Sequence, residues 1–353
     1  MVKRYLEDYK TFTCIAADCP ATCCSGWLIE IDEKSIDRYK SLSKENNDFK
    51  ENVDFAEESF KQKENKDCAF LRADGLCKMQ KEYGEAMLCY TCDMYPRHIE
   101  EFPNVREYSL SASCPVSAKQ IVENTNYLGY LTEEDDEKDA YEEEEYGQFN
   151  DALYGKLIEI REIIIDILKT ENKKFEEKAA VIDNCMKKVQ EDLDDGFLDG
   201  CEKAFEKPDG EPSKTTLKDY VDDLKLMNSL EPLREDFVQW VNKAIEYFSE
   251  NLDEEKFQEF EDNISNLDRI KTNIALYFIF TYFCGAAYDD YVYSAARMSI
   301  FAVRVVTVLA FKNWIENGDA CVSEILYKFC RELENSNDNL ITIRQELDET
   351  YYQ

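Results

Sequence analysis

Apolar residues recur every three to four positions through the second half of the chain. Leu153, Leu157, Ile160, Ile163, Ile164, Ile167 and Leu168 mark one face of a helix. The same spacing predicts further helices over 175–194, 215–230, 233–249, 254–262, 266–284, 291–315 and 321–335. Lys207-Pro208-Asp209-Gly210-Glu211-Pro212 reads as a break between two of them. The uncharged run 272–288 is marginal for a membrane span of ~20 residues, and it holds Asn273 and several hydroxyls. Arg297 and Arg304 interrupt the apolar residues that follow, so a buried core helix is expected and no membrane span.

The first third lacks that period. Residues 1–13 read as a partly helical lead-in, and Gly26-Trp27-Leu28-Ile29-Glu30-Ile31 alternates weakly, as a short strand would. From 32 to 63 the chain is polar with spaced Ile36, Tyr39, Leu42, Phe49, Val53, Phe55 and Phe60, which fits one or two surface helices. Asp74-Gly75 predicts a tight turn, and Pro96, Pro103 and Pro115 punctuate a loop-rich stretch without a large apolar core. The run Glu133-Glu134-Asp135-Asp136-Glu137-Lys138-Asp139, followed by Glu142-Glu143-Glu144-Glu145, repels itself. Residues 131–148 therefore read as a solvated linker, or as an arm that attracts lysines. The predicted fold class is mainly α. A loop-rich, metal-binding cysteine region with little β (1–120) is followed by an acidic linker or exposed loop (121–150) and a multi-helix domain (151–353).

The formal charge of −34 argues against nucleic acid, because phosphate binding draws on a surplus of Lys and Arg. Such a surface serves solubility and attracts cationic partners, among them exposed lysines. The opening Met1-Val2-Lys3-Arg4-Tyr5-Leu6-Glu7-Asp8 turns acidic with no apolar stretch behind it, so a cytoplasmic protein with reduced thiols is expected.

Nine of the fourteen cysteines then stand out: Cys14, Cys19, Cys23, Cys24, Cys68, Cys77, Cys89, Cys92 and Cys114. Cys89 and Cys92 are close enough in sequence to reach one metal from a single turn. Thiolates bind zinc or an iron–sulfur cluster, and four of them satisfy either. The remaining five, Cys185, Cys201, Cys284, Cys321 and Cys330, lie on helical faces and read as small core residues. The single histidine, His98, excludes Cys2His2 fingers and HExxH hydrolases and reads as a loop residue. No glycine-rich phosphate loop occurs, which argues against a doubly wound nucleotide domain.

These motifs, in this order, resemble the flagellin lysine-N-methylase family. The resemblance rests on Cys14…Cys19…Cys23-Cys24-Ser25-Gly26-Trp27, on Cys68-Ala69-Phe70-Leu71 with Gly75-Leu76-Cys77, and on Leu88-Cys89-Tyr90-Thr91-Cys92-Asp93-Met94-Tyr95-Pro96-Arg97. Tyr108-Ser109-Leu110-Ser111-Ala112-Ser113-Cys114-Pro115 completes it, and Arg331-Glu332-Leu333-Glu334-Asn335-Ser336 matches more loosely near the end. The resemblance implies methyl transfer from S-adenosylmethionine to lysines of flagellin, with a 4Fe-4S cluster as the metal centre and zinc as the alternative. In such a reaction Tyr95 or Tyr90 could take the departing proton, Arg97 could pair with the donor carboxylate, and Trp27 could stack on adenine. Each of the four also suits a packing role. Radical chemistry is not expected: a CxxxCxxC motif needs a cysteine three residues after Cys23, where Gly26 stands. A cluster that holds the loops, or that binds the donor's amino-acid end, fits better. The rival readings are a non-catalytic, metal-stabilised interaction module and a metal-handling or redox protein.

Overall fold

A computed structural model describes the chain except residues 126, 128, 137–138, 140–146, 207–213 and 352–353, and the side chain of residue 7. The break at 207–212 and the second acidic block, 142–145, lie outside the described residues. The described fold is mainly helical, with a small mixed sheet near its N-terminus.

The lead-in is a strand, not a helix: β1, Val2–Leu6. It joins a four-stranded sheet with β4 (Arg97–Phe102), β5 (Val105–Leu110) and β6 (Tyr130–Glu134) in the order β4-β5-β1-β6. The chain thus carries more β structure than its sequence suggested. Pro103-Asn104, which read as loop punctuation, is the two-residue connection of the β4–β5 hairpin, with Asn104 in the left-handed region at φ 57°. The opening of the supposed acidic linker is β6, antiparallel to β1 with Tyr5 opposite Leu131. Parallel pairing of β1 with β5 sets Tyr5 beside Tyr108, and their rings stack at 4.4 Å.

Inward positions of this sheet are charged, which is why no alternating pattern shows. The Glu107 carboxylate receives the Arg161 guanidinium at 2.5 and 2.7 Å and Arg4 at 2.8 Å. Glu107 and Arg161 are 2% and 1% exposed, so this is a buried ion cluster that welds β1 and β5 to the first long helix.

Between the sheet strands lies a separate small lobe. It contains α1 (Glu33–Leu42), α2 (Asn47–Asn52), a minimal hairpin of β2 (Val53–Asp54) and β3 (Ser59–Phe60), and α3 (Tyr90–Met94). Residues 26–31 form only isolated bridges, at Ser25 and Glu30 on either side of the apolar stretch. Contrary to expectation the lobe has its own apolar core, in which Tyr39, Phe49, Phe60 and Phe70 pack ring against ring. The lobe therefore has a source of cohesion of its own.

After α4 (Pro115–Glu123) and β6 come α5 (Asp151–Lys169), α6 (Phe175–Asp194), α7 (Leu217–Leu226), α8 (Glu235–Glu250) and α9 (Glu254–Asn263). Then follow α10 (Leu267–Tyr282), α11 (Val292–Asn317), α12 (Val322–Glu334) and α13 (Asn337–Glu349). The periodic segments were placed correctly, whereas α4 and α13 were not foreseen as separate helices. Leu267–Tyr288 and Val292–Asn317 are long and apolar enough to cross a membrane, but 83% and 94% of their apolar windows are buried in the fold. Arg297 and Arg304 do not break α11, because both pair with Asp223 on α7. Leu6, Phe102, Ala112, Ala118 and Ile121 share one core with these helices, so the sheet belongs structurally to the helical body.

Candidate functional site

The small lobe carries Cys24, Cys68, Cys77, Cys89 and Cys92 in or against its core. Asp32 caps two helices at once: it accepts from Ser35 N–H at 3.0 Å to start α1 and from Tyr90 N–H at 2.8 Å to start α3. Arg38 donates to the carbonyls of Ala86, Met87 and Leu88, and Thr91 Oγ1 donates to Glu30 O at 2.9 Å. The Cys89–Cys92 turn is fixed from both sides. On the opposite strand Cys68 N–H donates to Cys24 O at 2.8 Å. Arg72 N–H closes a hairpin on Leu76 O at 3.0 Å, with Gly75 at φ +78° as the Asp74-Gly75 turn predicted.

This scaffold gathers the sulfurs into two neighbouring groups. The Cys24 thiol lies within hydrogen-bonding reach of Cys23 and Cys77, and Cys92 within reach of Cys89. The Cys92 sulfur also feels the charges of Cys68 and Cys23. In each group one sulfur holds a proton for the other. The Cys24 thiol pulls Cys77 down to about 6 and lowers Cys23, and Cys92 lowers Cys89, while burial pushes Cys68 up to about 12. Burial also raises Cys19 and Cys114, and Cys14 is exposed beside its loop. Cys114 packs with Phe12 and Leu110, away from the two groups. Soft donors thus converge, as a thiolate-bound metal requires. Among the described residues, however, no three or more His, Cys, Asp or Glu side chains stand in a preassembled ligand arrangement.

The other residues singled out by sequence sit around this lobe. Trp27 donates its indole N–H to Cys23 O at 2.8 Å, and its ring lies 6.0 Å from that of Tyr95. The Tyr95 hydroxyl meets Ser113 Oγ at 3.0 Å, and burial raises its pKa, so it stays protonated. Tyr90 is 60% exposed at the start of α3. Arg97 lies over the rings of Tyr9 and Phe12 at 5.9 and 5.6 Å. His98 is on β4 and not in a loop, bonded to Glu100 at 2.6 Å. Burial disfavours its charged ring, but that carboxylate outweighs burial and raises its pKa.

The Arg331–Ser336 stretch, marked in the sequence only as a loose match with no role, closes the last turn of α12. Arg331 donates to Ser113 O at 3.0 Å and Ala21 O at 3.1 Å, holding the cysteine loop against the helical body. Glu332 accepts the N–H groups of Leu233 and Arg234 at 2.8 and 2.6 Å, capping α8. Glu334 accepts from Ser111 Oγ at 2.6 Å, Ser113 N–H at 3.0 Å and Tyr277 at 2.6 Å. The available signal was three charged residues, Arg331, Glu332 and Glu334, within four positions, two of them at buried sites of the helix. Arg234 reaches back to Ser25 Oγ at 2.6 Å, and its stem would lie 2.7 Å from a Cβ at Gly26, which explains the glycine. A groove of about 540 Å³ runs along this seam, bordered by Thr22, Ser25, Arg234, Tyr327 and Arg331.

Burial pushes Glu332 up to about 7 despite its two N–H donors. An acid with a raised folded pKa gives a contribution that is complete below its unfolded value of ~4.3 and fades as pH rises through the folded one. The melting temperature should therefore fall between pH 5 and pH 8, by thermal melts at constant ionic strength. Glu332→Gln should flatten that slope; an unchanged slope would refute the assignment.

On the far side of α12, a second cleft of about 610 Å³ lies within the helical body. Tyr282, Tyr291, Met298 and Leu340 give it apolar walls, and Glu100, Asp289, Asp348 and Glu349 line its polar side. Its Arg344 is taken up by Asp289 at 2.7 and 3.0 Å. Carboxylates thus dominate the charge, which suits a cationic ligand with an apolar stem.

Fold and site together define a protein with a sulfur-presenting lobe riveted to a helical domain that holds an acidic, aromatic-walled cleft. The chain belongs to the FliB lysine N-methylase family, whose C-terminal domain profile matches residues 161–353. It is 28% identical over 127 residues to the flagellar biosynthetic protein FliU of Salmonella muenchen, covering 33% of this chain and 75% of that protein. It is 28% identical over 132 residues to the lysine-N-methylase of Salmonella typhimurium and 27% identical to that of Salmonella choleraesuis, in each case over 33% of this chain and 31% of the relative. The matches to the two lysine-N-methylases thus span less than a third of their length. No solved structure matches the chain.

Proposed function

We propose that this protein transfers a methyl group from S-adenosylmethionine to the ε-amino group of lysines in flagellin, within the 610 Å³ cleft of the helical domain. The observation that carries this reading is the coincidence of family and chemistry. The cleft falls almost wholly inside the matched segment, and its carboxylates and aromatic walls suit two cations at once, the sulfonium of the donor and the ammonium of lysine. In the reaction a neutral amine attacks the methyl carbon in line. A C–N bond forms, the C–S bond breaks, the donor leaves as a thioether, and one proton is released.

The sulfurs of Cys23, Cys24, Cys77, Cys89 and Cys92, with Cys68 beside them, would hold the metal centre, read as a 4Fe-4S cluster with zinc as the alternative. Bound there, it would add a further tie between segments that already meet through hydrogen bonds and the lobe's apolar core. The expected setting remains the cytoplasm, where thiols are reduced.

Incubation of anaerobically purified protein with flagellin and S-adenosylmethionine, followed by peptide mass spectrometry, tests the reading. Methylated lysines are expected, together with donor binding by calorimetry. The rival reading, a non-catalytic interaction module, draws on the missing glycine-rich loop. Flagellin binding without donor binding or methylation would favour it and overturn ours.

A further inference from the structure

A chain of polar groups crosses the protein from the cysteine lobe to the second cleft. Tyr95 meets Ser113 Oγ at 3.0 Å, Ser113 Oγ meets Ser111 Oγ at 2.5 Å, and Ser111 donates to Glu334 Oε2 at 2.6 Å. From the other carboxylate oxygen the chain continues to Tyr277, whose hydroxyl donates to Oε1 at 2.6 Å while its oxygen accepts from Ala112 N–H at 3.0 Å. Tyr277 is fully buried. Tyr282, further along α10, sets its ring edge-on to that of Tyr277 at 6.4 Å and lines the 610 Å³ cleft. A carboxylate therefore stands two hydroxyls behind the wall of a cleft suited to an amine. Both carboxylate oxygens are occupied by donors, Ser111 and Ser113 on one and Tyr277 on the other, so each can take up or pass on a proton.

We propose that Glu334 is the proton acceptor for a lysine ammonium seated in this cleft, reached through Tyr282 and Tyr277. The ammonium gives a proton to the Tyr282 oxygen as Tyr282 passes its own to Tyr277 and Tyr277 passes its own to Glu334 Oε1. The ammonium becomes an amine with a free lone pair, and the carboxylate becomes a carboxylic acid. Attack on the methyl group then follows as above, and the stored proton later returns to solvent by the same path. This proposal rests on the methyl-transfer reading for its purpose, not for its chemistry.

The surroundings favour the neutral pair. Burial raises the carboxyl pKa of Glu334, opposed by the donors Ser111, Tyr277 and Ser113 N–H and by the charge of His98. The titratable groups facing it are His98 on β4, itself paired with Glu100, Tyr277 and Tyr282 on α10, Cys330 on its own helix, and Tyr127. Arg331 is engaged by the carbonyls of Ser113 and Ala21. A carboxylate withdrawn from water behind the cleft wall gains by taking up a proton, which is the step an isolated lysine in water resists.

Two variants and two readouts decide the matter. Glu334→Gln and Tyr282→Phe should each lower the methylation rate at neutral pH by roughly 10²-fold and move the pH optimum upward, with donor binding retained. Tyr282→Phe sits on the cleft wall, so it keeps the test open if Glu334→Gln impairs folding. Independently of the donor, adding a lysine peptide to the wild-type protein should produce an infrared band of a protonated carboxyl group that is missing in Glu334→Gln. Folded variants with the wild-type rate and pH profile would overturn the proposal, as would a carboxyl band unchanged by the peptide. A wild-type protein that shows the band but transfers no methyl group would leave the proton path standing and remove the methylase reading.

Discussion

Arg161→Ala is expected to destabilise the protein by about 3–5 kcal/mol, a large share of the ~5–15 kcal/mol that holds a typical domain folded. Its guanidinium makes a bidentate pair with Glu107 where neither group meets water. Truncation would leave that carboxylate facing Arg4 alone, with two of its bonds lost. Urea unfolding monitored by circular dichroism should show a markedly lower midpoint at pH 7. Burial works against the Glu107 charge, but Arg161 outweighs it and holds the carboxyl below its ordinary range. A depressed folded pKa contributes stability that is present above the unfolded value of ~4.3 and is lost as pH falls through the folded one. The gap between wild type and Arg161→Ala should therefore narrow below about pH 4. A replacement of both partners by apolar residues should cost less than the single change, because the fully buried carboxylate is then gone and only the partly exposed Arg4 loses a partner. Equal midpoints for wild type and Arg161→Ala would dismiss the cluster as an energetic weld.

The second large effect concerns metal. With the metal centre proposed above, Cys24→Ser and Cys77→Ser should each remove most of the metal, since a serine hydroxyl is neither soft nor ionised at neutral pH. Elemental analysis and the visible spectrum of anaerobically purified protein measure the loss directly. The lobe itself should remain folded, because Tyr39, Phe49, Phe60 and Phe70 pack ring against ring in a core of which Cys24 is one small member and Cys77 lies at the edge. Native-state hydrogen exchange across α1 and α2 should show protection close to wild type. Metal retained in both variants would contradict the ligand assignment. A lobe that melts with its metal would contradict the independent core.

Helices were legible because their buried stripe is apolar and repeats every turn, as in α5 and α6. The strands were not, and the reason is specific. β1 sends Arg4 to Glu107, and β6 is a run of polar and acidic residues whose backbone, not whose side chains, does the pairing. Such strands carry no period-two signature. The clustering of cysteines announced that sulfurs would meet, but not that Cys24 would face Cys23 and Cys77 while Cys92 faced Cys89. Glu334 stayed hidden because its partners Ser111 and Ser113 lie more than two hundred positions away, and a local pattern holds no record of them.

The riveting of α12 sets a limit on how the molecule can be taken apart. A cut at residue 161, where the matched segment begins, strands Arg161 without Glu107, Arg331 without Ser113, and Glu334 without either serine. The segment most easily recognised by its sequence is thus not a self-sufficient piece. Its solubility and its chemistry are supplied in part by the hundred and sixty residues before it.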